Sequence, residues 1–168
     1  MGAEEAGSIR LVEHYGPRWL PGPFERGTDG PLVILAGVDG SPTGMRAGAY
    51  AGGLARRQHS RLLVVYVAAP SVWAGMAPGA VAAAQESIFD ETTADLRRQI
   101  QERANDITIP ITFMVRRGDA FVELRQAAIE AKADMVVVGA SEQAGHRLIG
   151  SVASKLVRAG RWPVTVVP

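Results

Sequence analysis

The chain has no cysteine among its 168 residues, which excludes a disulfide framework, a thiolate metal site and a cysteine nucleophile. Its 18 Lys and Arg residues nearly balance 17 Asp and Glu residues, so the formal net charge is only +1. No run of basic residues concentrates the positive charge, and the electrostatic footprint of a nucleic-acid-binding protein is therefore missing. We expect no nucleic-acid partner.

Signals for secretion, lipidation and membrane insertion are also missing. The chain starts MGAEEAG, which is acidic where a signal peptide is basic and lacks an apolar core. Gly2 is followed by Ala6 where a myristoylation signal has Ser or Thr. No segment reaches the roughly 18 uninterrupted apolar residues of a membrane span. We expect a cytoplasmic protein without membrane contact.

Motifs of catalysis are equally scarce. The chain has no Gly-x-x-x-x-Gly-Lys-[Ser/Thr] P-loop. Neither His14 nor His59 has a carboxylate or serine at a spacing that indicates a hydrolytic triad. Glu123 and Glu130 are predicted to lie on a solvated helix face. Enzymatic turnover is the least supported class of function.

Glycine and proline recur at short intervals in residues 1–30, which predicts that no regular element runs far in this N-terminal arm. The arm also carries Tyr15, Trp19, Leu20 and Phe24, more aromatic surface than a linker usually holds. Two interpretations stay open: a disordered tail, or an arm whose aromatic residues dock on the domain or on a second subunit. Residues 31–168 are predicted to form one domain.

Strand and helix patterns alternate after Pro31. Continuous apolar runs predict five buried strands, at Leu32–Val38, Arg61–Ala68, Ile109–Val115, Met135–Val138 and Pro163–Val167. Pro110 suggests that the third of these lies at a sheet edge. Amphipathic patterns predict four helices, at about Thr43–Gln58, Gln85–Asn105, Ala120–Ala131 and Gly150–Ala159. This alternation gives an open parallel α/β sheet with helices on both faces and ligands at the carboxyl ends of the strands.

Several fragments, in their order and spacing, resemble the universal stress protein family (UspA-like). They are Gly37-Val38-Asp39-Gly40-Ser41, Gly118-Asp119, Ala133 to Gly139, Gly150-Ser151-Val152 and Trp162 to Val167. The resemblance covers Pro31 to Pro168. It implies an adenine nucleotide alpha hydrolase-like fold, with a five-stranded parallel sheet in the order 3-2-1-4-5. It also implies a regulatory role in stress response and a homodimer in which the last strand, residues 163–167, pairs across the two-fold axis. The aromatic residues of the arm 1–30 suggest a further contact in such a dimer.

The nucleotide-binding branch of that family carries Gly, two residues, Gly, nine residues, Gly, and then Ser or Thr. Gly139 matches the first glycine and Gly150-Ser151 the final pair, but Glu142 occupies the middle position and the loop is shorter by two residues. A glutamate in a left-handed conformation costs about 1–2 kcal/mol. Its charge, about 5 Å from a phosphate at an effective dielectric of about 20, adds about 3 kcal/mol of repulsion. The nucleotide-binding loop is therefore divergent.

The same loop has residues that would offset this divergence. If the shortened loop turns Glu142 outward, Gly145 supplies the flexible position, and His146 and Arg147 bring positive charge to the phosphates. The sequence leaves both orientations of Glu142 open.

The resemblance implies that Asp39 contacts the adenine end of a nucleotide and that Val67 is an apolar neighbour of the base. It places Gly150, Ser151 and Val152 at the start of the last helix, where their N–H groups point toward phosphates. Two alternatives stay open. Asp39, in Asp-Gly-Ser-Pro, makes an Asx turn or caps the following helix in any protein, and Ser151 is an ordinary N-cap.

Three functional hypotheses follow. In the first, the protein is a regulator that binds ATP, with Mg²⁺, or another adenine nucleotide. In the second, the site has degenerated and a dimer acts through protein contacts. In the third, the least supported, the protein is a slow ATP hydrolase.

Overall fold

The structure, a computed structural model, describes residues 9–18, 30–68, 79–141 and 150–168. This part of the chain contains six strands and four helices. In chain order they are β1 (Ile9–Tyr15), β2 (Val33–Val38), α1 (Pro42–Gln58), β3 (Arg61–Ala68), α2 (Ala80–Ile107), β4 (Ile111–Arg117), α3 (Ala120–Glu130), β5 (Met135–Gly139), α4 (Ser151–Ala159) and β6 (Val164–Val167).

All six strands belong to one sheet, in the order β1-β4-β3-β2-β5-β6. The strands β2 to β6 are parallel, as the alternation of strands and helices predicted. Counted from β2, their order is 3-2-1-4-5. The prediction of five strands is wrong, because β1 adds a sixth strand antiparallel to β4.

The added strand lies in the N-terminal arm, where we predicted that no regular element runs far. That prediction is wrong for residues 9–15, because the seven-residue segment IRLVEHY contains neither glycine nor proline. Leu11 and Tyr15 pack against the core. Pro110 does not mark a sheet edge either: it lies just before β4, which pairs with β3 and β1. Trp19, Leu20 and Phe24 lie outside the described residues.

Each face of the sheet is covered by helices, and each has its own apolar cluster. On one face, α1 places Ala47, Ala51 and Ala55 against β2 and β3, and α2 adds Leu96. On the other face, α3 contributes Leu124, Ala127 and Ala128, and α4 contributes Ala153 and Leu156. Strand β2 supplies both clusters because successive side chains point to opposite faces. Each helix follows a parallel strand in the chain, so its first turn lies at the carboxyl edge of the sheet. None of the helices described is long and apolar enough to span a membrane.

Arg116 of β4 is a charged residue inside this fold, with only 1% of its surface exposed. Its Nη1 lies 3.2 Å from Glu123 Oε2, and its Nη2 pairs with Glu130 Oε2. The prediction that both carboxylates are solvated is therefore wrong for Glu123, whose side chain is 14% exposed, whereas the Glu130 side chain is 41% exposed. Both carboxylates lie on the flank of α3 that faces β4, where they compensate a guanidinium that water does not reach.

We predict that removing one of these carboxylates weakens the fold. Glu123→Ala should lower the free energy of unfolding by about 3 kcal/mol, because it leaves a buried guanidinium with half of its compensation. Asp95→Ala is the matched control, since the Asp95–Arg98 pair is exposed and should contribute less than about 1 kcal/mol. Urea denaturation measures both, and equal losses would contradict the role assigned to Arg116.

Candidate functional site

The carboxyl ends of β2, β3 and β5 border a cavity of about 110 Å³. Four of the residues predicted from the sequence line it: Asp39, Val67, Gly139 and Val152. The first turns of α1, α3 and α4 reach the same cavity, through Thr43 and Gly44, Ala120, and Val152. Because helix N-termini carry partial positive charge, this edge favours an anion. Asp39 is the only charged residue among the described residues that line the cavity.

Gly150 and Ser151 lie beside the cavity but are not among its lining residues. Gly150 is the N-cap of α4, and Ser151 is its exposed first residue. The alternative in which Ser151 is the N-cap is therefore wrong. The N-cap is Gly150, which has no side chain that could accept a hydrogen bond from the N–H groups of the first turn. A Cβ added to Gly150 would lie 3.1 Å from Ser141 Cβ, so the two ends of the divergent loop are in contact.

The middle of that loop, residues 142–149, lies outside the described residues. Four residues weighed from the sequence fall there: Glu142, Gly145, His146 and Arg147. Their contribution to a site stays a prediction.

Asp39 makes the Asx turn that Asp-Gly-Ser-Pro favours. Its Oδ1 accepts hydrogen bonds from the backbone N–H of Ser41 at 3.0 Å and from the Ser41 hydroxyl at 2.5 Å. Ser41 in turn caps α1 by accepting from the Gly44 N–H at 3.1 Å. Oδ2 takes part in neither of these two bonds, and Asp39 also lines the cavity. The two interpretations of Asp39 are compatible.

Sequence reasoning missed Thr43, Gly44 and Ala120 as cavity residues. The sequence signals that could have indicated these residues are the two helix starts, Ser41-Pro42 and Asp119-Ala120. Proline is favoured in the first turn and Asp is a strong N-cap, and Asp119 accepts from the Val122 N–H at 3.0 Å. Residues that begin a helix after a parallel strand lie at the carboxyl edge of the sheet.

On the opposite face of the sheet, this edge is filled by contacts with α2. The Tyr66 and Phe89 rings are stacked with their centroids 6.0 Å apart, and the Arg117 guanidinium lies 4.1 Å from the centre of the Phe89 ring. Burial raises the pKa of the Tyr66 hydroxyl above its ordinary value, with a smaller contribution in the same direction from the Asp39 charge. The cavity therefore lies on the face of the sheet that α3 and α4 cover, between the start of α1 and the end of β5.

Close backbone approach requires glycine at position 139, and the Asp39 side chain limits the space at Gly44. A Cβ on Gly139 would lie 2.6 Å from the Thr43 carbonyl carbon and 2.7 Å from the Gly44 nitrogen. A Cβ on Gly44 would lie 2.3 Å from Asp39 Oδ1. Gly139 thus has a packing role whether or not a phosphate binds, which the loop motif alone did not indicate.

A metal site is not evident in the described ranges: no group of three or more His, Asp or Glu residues there could hold an ion.

The fold and the motifs at its carboxyl edge agree with a family model. Residues 32–168 match the model described as the universal stress protein family. The chain belongs to the universal stress protein family. The resemblance seen in the sequence is thereby confirmed. A comparison with curated proteins gives no match.

Solved universal stress proteins share this fold. The UspA protein from Lactobacillus plantarum is 24% identical, with a TM-score of 0.69 over 81% of this chain and 97% of that one. A family member from Burkholderia pseudomallei is 26% identical, with a TM-score of 0.60 over 82% and 96% of the two chains. A universal stress protein in complex with cAMP is 24% identical, with a TM-score of 0.61 over 82% and 97%.

We predict opposite effects for two glycine substitutions. Gly139→Ala should lower the free energy of unfolding by about 3 kcal/mol, because the added methyl overlaps the backbone of α1. Gly52→Ala, inside α1, should raise it by about 0.5–1 kcal/mol, since its Cβ meets Ile107 Cδ1 at an ordinary 3.6 Å and alanine favours helix. Chemical denaturation of both variants tests the prediction, and a stable Gly139→Ala protein would refute the close approach.

Proposed function

We propose that this universal stress protein is a cytoplasmic regulator that binds ATP or another adenine nucleotide at the cavity on the carboxyl edge of the sheet. The observation that carries the proposal is the convergence of Asp39, Val67, Gly139 and Val152 on one cavity beside the first turns of three helices. It is also supported by a fold shared with a universal stress protein in complex with cAMP.

Each residue then has a stated task. Val67 offers an apolar surface to the base, and Asp39 Oδ2 accepts a hydrogen bond from an amino or hydroxyl group of the nucleoside. Gly150 leaves the start of α4 open to phosphate oxygens, which the amides of Ser151 and Val152 bind in the manner of helix N-termini. Any Mg²⁺ that accompanies ATP would be held mainly by phosphate oxygens and water, because the described residues offer no cluster of carboxylates.

A second candidate function is regulation through protein contacts without a nucleotide. It is favoured by the cavity volume of about 110 Å³, which is below the roughly 300–1,000 Å³ of most small-molecule sites. The Glu142 substitution within the loop motif supports the same alternative. Slow ATP hydrolysis has less support, because the lining residues described include no histidine and a single carboxylate.

We predict that adenine nucleotides raise the melting temperature of the protein. A ligand at a concentration 100 times its Kd stabilises the native state by about 2.7 kcal/mol. Asp39→Asn keeps the Oδ1 acceptor of the Asx turn but removes the charge, so it should reduce the thermal shift with ATP, ADP, AMP or cAMP. Asp90→Asn, the same change at an exposed position of α2, should leave the shift unchanged.

The loop variant Glu142→Gly separates the two candidate functions. Under the nucleotide proposal it increases the thermal shift, because it restores the glycine and removes a negative charge. If millimolar nucleotide shifts neither the natural protein nor Glu142→Gly, and denatured protein releases no nucleotide, then regulation through protein contacts is the function that stands.

We further propose a homodimer that forms through β6, at the edge of the sheet opposite β1. Strand β6 lies at the edge of the sheet, and each of its residues Val164–Val167 is half-buried. The N–H groups of Val136 and Ala140 donate to the carbonyls of Pro163 and Val167. Since backbone groups alternate in direction along a strand, the amides of Val164 and Val166 point away from β5. They can pair with the β6 of a second copy.

A proline at this outer edge tests the dimer. Val166→Pro removes an outward N–H without removing a donor to β5, so it should convert a dimer to the 17.8 kDa monomer. Val166→Ala is the matched control, because it shortens the side chain and keeps the N–H. Light scattering gives the mass of each, and an unchanged mass for Val166→Pro would count against pairing through β6.

A further inference from the structure

Strand β1 lies outside the part of this chain that matches the family. The family match begins at residue 32, after β1 has ended. The matches to the Lactobacillus plantarum and Burkholderia pseudomallei proteins use 97% and 96% of those chains but only 81% and 82% of this one. Little of either relative is left that could form a counterpart of β1. The family fold therefore does not account for β1.

The edge of β4 that β1 covers is strongly suited to strand pairing. The Leu62 N–H donates to the Pro110 carbonyl, and the Gly118 N–H donates to the Ala68 carbonyl. Even-numbered backbone groups of β4 therefore face β3, and the odd-numbered ones face β1. The latter belong to Ile111, Phe113 and Val115, whose side chains are buried. Without β1, an apolar edge with unpaired N–H and C=O groups would be open, which is a template for pairing with another chain.

Side-chain contacts hold β1 on this edge. Leu11 and Tyr15 pack against the apolar cluster beneath α2. Glu13 pairs with Arg97 of α2 at 2.6 Å and accepts from the Tyr15 hydroxyl at 3.0 Å. On the other face, His14 Nδ1 lies 3.1 Å from the Thr112 hydroxyl. These contacts involve both faces of the strand, so β1 is docked rather than merely adjacent.

The outer edge of β1 is a poorer template than the edge it covers. Its pairing with β4 is irregular between Ile9 and Leu11, and Gly16-Pro17 follows directly after the strand. Irregular pairing and proline are features that limit further strand addition. When β1 is docked, the edge of the sheet is therefore the outer edge of β1, which is less suited to strand pairing than the β4 edge beneath it.

We propose that β1 closes the β4 edge against a second copy of this chain and thereby directs self-association to the β6 edge. The latent surface is the row of backbone groups of Ile111, Phe113 and Val115, and its occupant on release of β1 is the same edge of another copy, in antiparallel pairing. The part of the proposal that concerns β6 rests on the dimer proposed above. The part that concerns β4 does not.

The test uses the full chain with β1 released by a point change. Leu11→Asp places a charge against the apolar cluster. Val12→Asp is the matched control, because the neighbouring Val12 is 42% exposed. Hydrogen exchange should become faster by on the order of tenfold at the amides of Ile111, Phe113 and Val115 in Leu11→Asp. The amides of Thr112 and Met114, which face β3, should keep their rates.

Sedimentation velocity over a range of protein concentrations then measures the size of the species that each variant forms. Leu11→Asp should form species larger than those of the natural protein as concentration rises, and Val12→Asp should not. An unchanged mass despite faster exchange would overturn the proposal. A fall to monomer would also overturn it, because β1 would then be exchanged between subunits.

Two further variants apply if Leu11→Asp disturbs β1 too little or too much. If exchange does not rise in Leu11→Asp, the double variant with Tyr15→Asp removes both core contacts, and unchanged exchange there overturns the proposal. If Leu11→Asp precipitates, the milder Glu13→Arg is used, with rescue by Arg97→Glu. Restored exchange rates and mass support the proposal, and no rescue counts against it.

A combined variant separates this inference from the proposed dimer. Leu11→Asp with Val166→Pro should still associate, through β4, although β6 is blocked. If Val166→Pro alone leaves the mass unchanged, the β6 dimer fails, while the larger species of Leu11→Asp would still support the latent β4 edge. If the combined variant is a monomer, association of Leu11→Asp does not run through β4.

Discussion

The contact between the end of β5 and the first turn of α1 is the constraint on which the candidate site depends. A Cβ on Gly139 would meet the backbone of Thr43 and Gly44 at less than 3 Å, so glycine is needed at position 139. This close approach sets the distance between the central strands and α1. It thereby fixes where Asp39 lies, because the Asx turn of Asp39 continues into the same helix.

The electrostatics of the site follow from this arrangement. Three helices direct their N-termini to one edge of the sheet, and Asp39 is the only carboxylate among the described residues lining the cavity. A ligand with one hydrogen-bond donor and one anionic end matches such a surface better than a purely anionic or a purely apolar molecule. An adenine nucleotide has this polarity. A family fold alone would not argue for it, since the same fold can carry different functions.

The parts of the structure that sequence could predict are those with local causes. The five parallel strands follow from apolar runs, and the start of α1 follows from Ser41 and Pro42. The packing role of Gly139 could not be predicted, because it depends on a helix almost a hundred residues earlier in the chain. The same holds for Arg116, whose charge gave no sign of burial until β4 and α3 were adjacent. β1 was missed because glycine and proline on either side concealed a short segment with regular alternation.

The pairing of β1 with β4 also has a consequence for folding kinetics. His14 and Thr112, which are in contact across the pair, are separated by 98 residues in sequence. Closing so long a loop is entropically costly, and contacts of large sequence separation form slowly. We therefore expect β1 to dock after the parallel sheet has assembled. Until β1 docks, β4 would expose its unpaired edge to other folding chains. The refolding yield should therefore fall as the protein concentration rises.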